Sequence, residues 1–138
     1  MNVQIQQQDT RIIEKKLFNP PYDWDAAILG LSGNGDPHFG VDLWHSTGKR
    51  HVWFPQQKIP STDWEAKIDE IFNAAAVIQD AAGRKALYDE WQRIAADELP
   101  LIYTVISERI LCMSKRVGNV NPSVSGGLLH NIEELFIK

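Results

Sequence analysis

The stretch "TDWEAKIDEIFNAA", from Thr62 to Ala75, says most about the fold because it contains a complete helix-start signal. Thr62 and Glu65 form the T-x-x-E pattern of a capping box, in which each side chain hydrogen-bonds the other residue's backbone N–H. The apolar residues that follow recur at helical spacing: Trp64, Ile68, Ile71, Phe72 and Ala75. The stretch therefore predicts an amphipathic helix with one buried face.

A second helix signal follows after a short break. Asp80 is a favourable N-cap, and Pro100 marks the end of the segment. Its predicted buried face consists of Leu87, Trp91, Ile94 and Ala95. Because only a few residues separate the two helices, we expect them to pack antiparallel.

Two further helix starts lie nearer the N-terminus. Asp9 precedes a predicted helix that runs to about Phe18 and is stopped by Pro20 and the proline after it. Asp36 and Pro37 have the N-cap and first-position residues of a short helix. Asp36 is therefore expected near a helix N-terminus.

Five segments read as strands from their alternation or their β-branched and aromatic content. They are residues 3–6, 25–31, 101–106, 110–113 and 134–138. The 25–31 run is nearly all apolar and predicts a buried strand that leads directly into a Gly-rich loop. Cys112, in the fourth segment, is predicted to be a small buried residue.

The composition is that of an ordinary globular domain and excludes some classes of function. The 138 residues are 43% hydrophobic and carry a net charge of -4, with no Lys/Arg cluster, so we expect no nucleic-acid partner. No run approaches the ~20 apolar residues of a membrane span. The N-terminal residues have neither region of a signal peptide, so we expect none in this chain. Cys112 is the only cysteine, which excludes an intrachain disulfide.

The loop "GNGDPHFGVDLWHS", from Gly33 to Ser46, raises the question of chemistry. The four histidines lack the spacing that places two ligands on one helical turn, and no serine lies in a nucleophile elbow. The glycines do not fit a phosphate-binding motif. We therefore expect no enzyme, no metal and no cofactor, and we interpret the loop as the wall of a ligand pocket, with Trp44 as an apolar stacking surface.

Several motifs in order resemble the family 5 extracellular solute-binding proteins, the peptide- and nickel-binding subunits of ABC importers. Residues 22–30 resemble that family's "yDa.l.gw" strand, and residues 64–71 its "evD.ll" helix. The remaining matches are Asp36-Pro37 to "DP", residues 43–46 to "lw.s", residues 80–94 to "D...R..ly.e.q.i" and residues 100–103 to "P.ipl". The resemblance covers nearly the whole chain.

The resemblance implies an α/β chain that is the C-terminal fragment of a two-lobed periplasmic-binding-protein fold, type II-like, with a mixed sheet and packed helices. Residues 1–100 would belong to the second lobe, and residues 101–138 would cross the hinge and return to the first. Strand edges and apolar faces would then meet chain that is absent here. We expect such exposed edges to pair with the same edges of a second copy of the chain, which would give a homodimer or strand exchange.

The resemblance also implies the function: non-catalytic capture of a small solute or peptide by lobe closure, with the ABC transporter's membrane subunits as partners. The parent protein would be periplasmic or otherwise extracytoplasmic. The implied ligand-binding residues are Leu31, Ser32, Gly33, Asn34, Asp36 and Trp44. Peptide-binding members have an Asp where this chain has Gly33, so the ligand is expected to be a neutral or differently charged solute.

Two other classes of function remain open from the sequence. One is a self-contained α/β interaction module that docks a protein through a sheet edge or the helix pair. The other is a hydrolase, which requires a His-centred hydrogen-bonded pair in a closed cleft. Complete internal pairing of all strands favours the module, and a half-open sheet favours the fragment.

Overall fold

The structure is a computed structural model that describes residues 2–33, 35–106, 108, 110–123 and 126–138. The chain divides into two compact units, Met1–Leu101 and Ile102–Lys138. This division lies one residue from the boundary expected between residues 100 and 101. The assignment of the two parts to lobes of a larger protein stays a prediction.

The described part of the first unit contains four α-helices: α1 (Thr10–Phe18), α2 (Val41–Trp44), α3 (Asp63–Val77) and α4 (Ala81–Glu98). A 3-10 helix, Pro37–Gly40, directly precedes α2. Each predicted cap is present: the side chains of Asp9, Asp36 and Asp80 accept hydrogen bonds from the first-turn backbone. The helix predictions are therefore confirmed, including the short helix after Asp36.

Helices α3 and α4 form the antiparallel pair that the sequence predicts. The Arg84 Nε near the start of α4 donates to the Ala75 carbonyl near the end of α3, at 3.0 Å. Lys67, early in α3, lies 3.9 Å from Glu90 in the second half of α4. The capping box is complete, because Thr62 Oγ1 accepts from the Glu65 N–H and Glu65 Oε2 accepts from the Thr62 N–H.

The core of the first unit lies between this helix pair and α2. Ile68, Phe72 and Ala75 of α3 are fully buried, and Tyr88 and Ala95 of α4 are nearly so. The Phe72 ring meets Tyr88 and Trp91 edge-on, with centroids 5.6 and 5.5 Å apart. These aromatic contacts fix the angle at which the helices meet.

Most of the predicted strands are absent, and this corrects the sequence-based expectation. Residues 3–6, 25–31, 101–106 and 110–113 lie outside any strand, and no backbone hydrogen bond pairs them within the described residues. The 25–31 run is not buried, and Ile28 is 88% exposed. β-Branched content predicts an extended backbone, but a strand forms only where a neighbouring strand supplies hydrogen-bond partners.

The second unit contains a two-stranded antiparallel sheet, in which β1 (Val117–Gly118) pairs with β2 (Phe136–Ile137). The strand predicted at residues 134–138 is thus confirmed over two of its five residues. A 3-10 helix, Ile132–Glu134, precedes β2. Cys112 is exposed, contrary to prediction, because the run around it pairs with no other strand among the described residues.

The fold is thus of a general α/β kind, with helices in the first unit and a small sheet in the second. The two-lobed architecture implied by the resemblance stays a prediction. Over the ranges that the structure describes, none of the helices combines the length and the hydrophobicity needed to cross a bilayer.

Candidate functional site

The predicted loop wall lies in an irregular segment that precedes the first 3-10 helix. Leu31, Ser32 and Gly33 are all exposed there, and a Cβ at Gly33 would meet nothing within 4 Å. Asn34, also predicted to bind ligand, lies outside the described residues. The three described positions are open to solvent and available for contact.

Asp36 anchors the end of this segment through a two-pronged ion pair with Arg84. Arg84 Nη1 donates to Asp36 Oδ2 at 2.7 Å, and Arg84 Nη2 donates to Asp36 Oδ1 at 3.0 Å. Oδ1 also accepts from the His38 N–H at 2.8 Å, which caps the 3-10 helix. The Arg84 hydrogen bonds, followed by the one from His38, lower the pKa of Asp36. Both carboxylate oxygens are thus already engaged within the chain.

Tyr88, one turn after Arg84 on α4, adds further contacts between α4 and the first 3-10 helix. Arg84 Nη2 donates to the Tyr88 hydroxyl at 3.4 Å, and His38 Nδ1 lies 3.0 Å from the same hydroxyl. Burial raises the pKa of Tyr88, so the phenol is neutral at pH 7. A depression of about 300 Å³ lies beside these groups, lined by Pro37, Ala81, Arg84, Lys85, Tyr88, Asp89 and Gln92.

Trp44, predicted to offer a stacking surface, is instead part of the core, which corrects that expectation. It is 4% exposed, and its ring lies edge-on to Trp91 with centroids 5.1 Å apart. Trp53 packs on its other side at 5.6 Å. When the three large aromatic side chains pack together, each removes apolar area from water that would stay exposed if it faced solvent. Trp44 therefore lies in the core of the first unit.

A buried carboxylate, Glu65, joins the irregular segment 51–62 to the start of α3. Its Oε1 accepts from Trp53 Nε1 at 3.0 Å and lies 3.2 Å from His51 Nε2. Its Oε2 accepts from Gln57 Nε2 at 3.1 Å, and from the Ser61 N–H and hydroxyl at 2.8 and 2.7 Å. Burial favours the neutral acid, but the hydrogen bonds from Ser61, Gln57 and Trp53 outweigh it and lower the pKa of Glu65 to about 2.

A second carboxylate, Asp69, lies one turn further along α3 and fixes the residues after α2. It accepts from both the backbone N–H and the hydroxyl of Ser46, which is fully buried. His45 Nδ1 lies 3.5 Å from Asp69 Oδ1. Two carboxylates on one helix face thus hold both ends of the segment from His45 to Thr62.

The contacts of these groups position neighbouring segments of the chain. The Ser46 hydroxyl donates to the Asp69 carboxylate and is fully buried, so it lacks the access to substrate that a nucleophile needs. His51 Nδ1 lies 3.1 Å from the Leu43 carbonyl oxygen and Nε2 lies 3.2 Å from Glu65 Oε1, so both ring nitrogens face groups of the chain itself. In the described ranges, no three His, Cys, Asp or Glu side chains come together as a metal site requires.

Sequence reasoning found Asp36 and Glu65 as caps but missed their larger roles. The partner of Asp36 is Arg84, 48 residues away, and no local pattern connects the two. Glu65 has more acceptor capacity than one capping bond uses, which is the signal that could have suggested additional donors. The identity of those donors follows only from the fold.

No protein family, curated protein or solved structure matches the chain.

Proposed function

We propose that the chain is the closing part of an extracytoplasmic solute-binding protein of the family 5 kind, which captures a small solute for an ABC importer without catalysing a reaction. Lobe closure around the ligand would favour the closed state by the ligand's differential affinity for it. The parent protein would be periplasmic or otherwise extracytoplasmic, and the importer's membrane subunits would be its partners.

The observation that carries this proposal is the state of the predicted strands. Residues 25–31 and 101–106 have the composition of sheet strands, yet they lie outside regular secondary structure and are largely exposed and unpaired within the described residues. Ile28 is 88% exposed, and Ile106 is 96% exposed. Exposing apolar runs of this kind to water is energetically unfavourable. Such exposure is expected of strands that pair, in a longer protein, with strands from another part of its sequence.

A second support is that two of the resembling motifs meet in space. The "DP" motif at Asp36 and the "D...R..ly" motif on α4 are joined by the Asp36–Arg84 ion pair, and Tyr88 of the latter motif contacts the same guanidinium. Motif residues that have a shared structural task are expected to occur together. This favours a resemblance of structure over a chance coincidence of letters.

The ion pair also bears on the ligand. It fixes the end of the segment that contains Leu31, Ser32 and Gly33, while these residues stay exposed. Because Arg84 and His38 occupy both oxygens of Asp36, that carboxylate is poorly placed to compensate a ligand's ammonium group. We therefore assign ligand contact to the three exposed residues, and we expect a solute that is neutral or anionic near them.

The test begins with the genomic DNA upstream of Met1. The proposal predicts an in-frame continuation that encodes a much longer protein and begins with an export signal. An in-frame stop codon immediately upstream, with no such continuation, would contradict it.

The longer protein then permits a binding test. Small molecules that co-purify with it are identified by native mass spectrometry, and binding of the strongest is measured by isothermal titration calorimetry. Ser32→Arg should weaken binding at least tenfold, because a bulky cation then occupies the proposed wall. Val77→Lys adds the same charge at an exposed position of α3 and serves as the matched control. Equal affinities of wild type and Ser32→Arg would remove the loop from the site.

The interaction module is the second candidate, and one observation favours it. The first unit closes a core of its own from α2, α3 and α4, with Trp44, Phe72 and Tyr88 at its centre. A unit that folds alone is compatible with an independent docking role. The upstream sequence separates the two candidates, because a module needs no long continuation.

A further inference from the structure

We propose that the segment Ile102–Ile106 is a homotypic docking strand, which pairs antiparallel with the same segment of a second copy of this chain. The segment follows Leu101, which packs against the core of the first unit. It lies outside regular secondary structure, and its four largest side chains are exposed: Ile102, Tyr103, Val105 and Ile106. The inference concerns the 138-residue chain by itself; in the longer protein of the proposed function, residues 101–106 would instead pair with another part of that protein.

The backbone of this segment is ready to pair. None of its five residues is proline, and within the described residues no hydrogen bond occupies their N–H and C=O groups. An extended run of free backbone groups is a template for another strand. Pro100 limits a ladder at the N-terminal side, because it has no N–H to donate.

The side chains favour a second copy as the partner because the segment is complementary to itself. In an antiparallel pair centred on Thr104, Ile102 lies opposite Ile106 of the second copy, and Tyr103 lies opposite its Val105. Thr104 lies opposite Thr104 on the two-fold axis. Aromatic with β-branched, aliphatic with aliphatic, and Thr with Thr are all favourable cross-strand pairs. One axis therefore gives every residue of the segment a matched partner.

Charge selects the antiparallel direction. The segment itself has no charged residue, but Glu108 follows it closely. Parallel in-register pairing would place Glu108 beside Glu108 of the second copy, and like charges directly opposite one another are destabilising. Antiparallel pairing places Glu108 opposite the end that contains Pro100. The expected product is a closed two-fold dimer rather than an open stack.

The test uses multi-angle light scattering of the full chain over a wide concentration range. Wild type should approach twice the 15.7 kDa chain mass as concentration rises. Thr104→Lys and Thr104→Glu should each raise the dimer dissociation constant at least tenfold, because each places two like charges on the axis. An equimolar mixture of the two variants should dimerise again. Val77→Lys, an exposed change outside the segment, should leave the dimer unchanged.

A second pair of variants tests the direction of pairing. In the double variant Ile102→Lys with Ile106→Glu, antiparallel pairing places opposite charges together, so dimerisation should persist. Parallel pairing would place like charges together and abolish it. The double variant Ile102→Lys with Ile106→Lys places like charges together in the antiparallel pair and should be monomeric.

Three results would overturn the inference. They are a monomer at every concentration, a dimer that Thr104→Lys does not weaken, and a dimer that is lost in the double variant Ile102→Lys with Ile106→Glu. A monomeric chain would leave the solute-binding proposal unaffected, because that proposal depends on the longer protein and its ligand. Conversely, failure of ligand binding would not alter the mass of this chain.

Discussion

Replacing Glu65 by Gln is the sharpest perturbation of this structure, since it keeps the shape of the side chain and removes its charge. Glu65 is 1% exposed and accepts hydrogen bonds from Trp53, Gln57, Ser61 and Thr62. A Gln amide has only one acceptor oxygen. Its NH₂ group would face the N–H and O–H groups that now donate to the other oxygen of Glu65, and these donors would lose their acceptor. Hydrogen bonds to a charged acceptor contribute about 1.5–3 kcal/mol each, and buried groups left unpaired add to the loss. We expect the free energy of unfolding to fall by about 3–5 kcal/mol.

The same carboxylate predicts the acid dependence of stability. The pKa of Glu65 is about 2 in the folded chain and 4.5 ordinarily, so the unfolded state binds the proton more readily. Its contribution is therefore fully present above about pH 4.5 and is lost as the pH falls towards 2. The difference in pKa corresponds to roughly 3 kcal/mol. Glu65→Gln lacks this carboxyl group and should show a flatter curve over that range.

The assay is urea unfolding followed by tryptophan fluorescence, at pH 7 and at several pH values down to 2.5. Glu70→Gln is the matched control, because Glu70 lies on the same helix but is exposed and forms a surface ion pair with Lys67. Its change in the free energy of unfolding should be under about 0.5 kcal/mol. If Glu65→Gln loses less than about 1 kcal/mol, the network does not stabilise the fold as argued.

Three further predictions concern backbone and packing, each measured by denaturant unfolding. Leu99 is the C-cap of α4 and has φ at 48°, a left-handed conformation that favours glycine. Leu99→Gly should therefore raise the free energy of unfolding by about 1 kcal/mol. A decrease would show that the contacts of the Leu99 side chain outweigh the strain in its backbone. A Cβ at position 48 would overlap the Asp42 carbonyl, so Gly48→Ala should destabilise by about 1–3 kcal/mol; an unchanged midpoint would contradict this. Phe72→Ala should lower the free energy of unfolding by about 3–5 kcal/mol, because Phe72 is fully buried. Phe39→Ala removes an exposed ring and should change it by no more than about 0.5 kcal/mol. Similar losses in the two variants would show that Phe72 is not at the centre of the core.

The helices were predictable from the sequence because their signals are local. Each cap lies within seven residues of the apolar face that follows it, so the capping box at Thr62 and the Asp80 cap both define real helix starts. The antiparallel packing of α3 and α4 followed from the short break between them. None of these inferences required knowledge of distant chain.

The strands failed for the opposite reason. Residues 25–31 and 101–106 have an extended preference, but pairing depends on a partner strand that no local pattern can identify. The strand predicted at residues 134–138 formed only at Phe136–Ile137, where Val117–Gly118 supplies that partner. Propensity thus predicted where strands could form, and only tertiary contacts determined which part became a sheet.

The candidate site shows the same division. The position of Asp36 as a helix cap was readable from the adjacent Pro37, whereas its ion pair with Arg84 was not. Trp44 was expected at a surface because it lies in an irregular, polar stretch of the sequence. Its burial results from Trp53 and Trp91, which come from separate parts of the chain.

The two carboxylates on α3 have a consequence for the hydrogen–deuterium exchange of the first unit. The backbone N–H groups of Ser46, Ser61 and Thr62 lie outside regular secondary structure, yet each donates to Glu65 or Asp69. These amides can exchange with solvent only when α3 releases them. They should therefore exchange on the timescale of the helix, and the irregular segment and the helix should open as one cooperative unit.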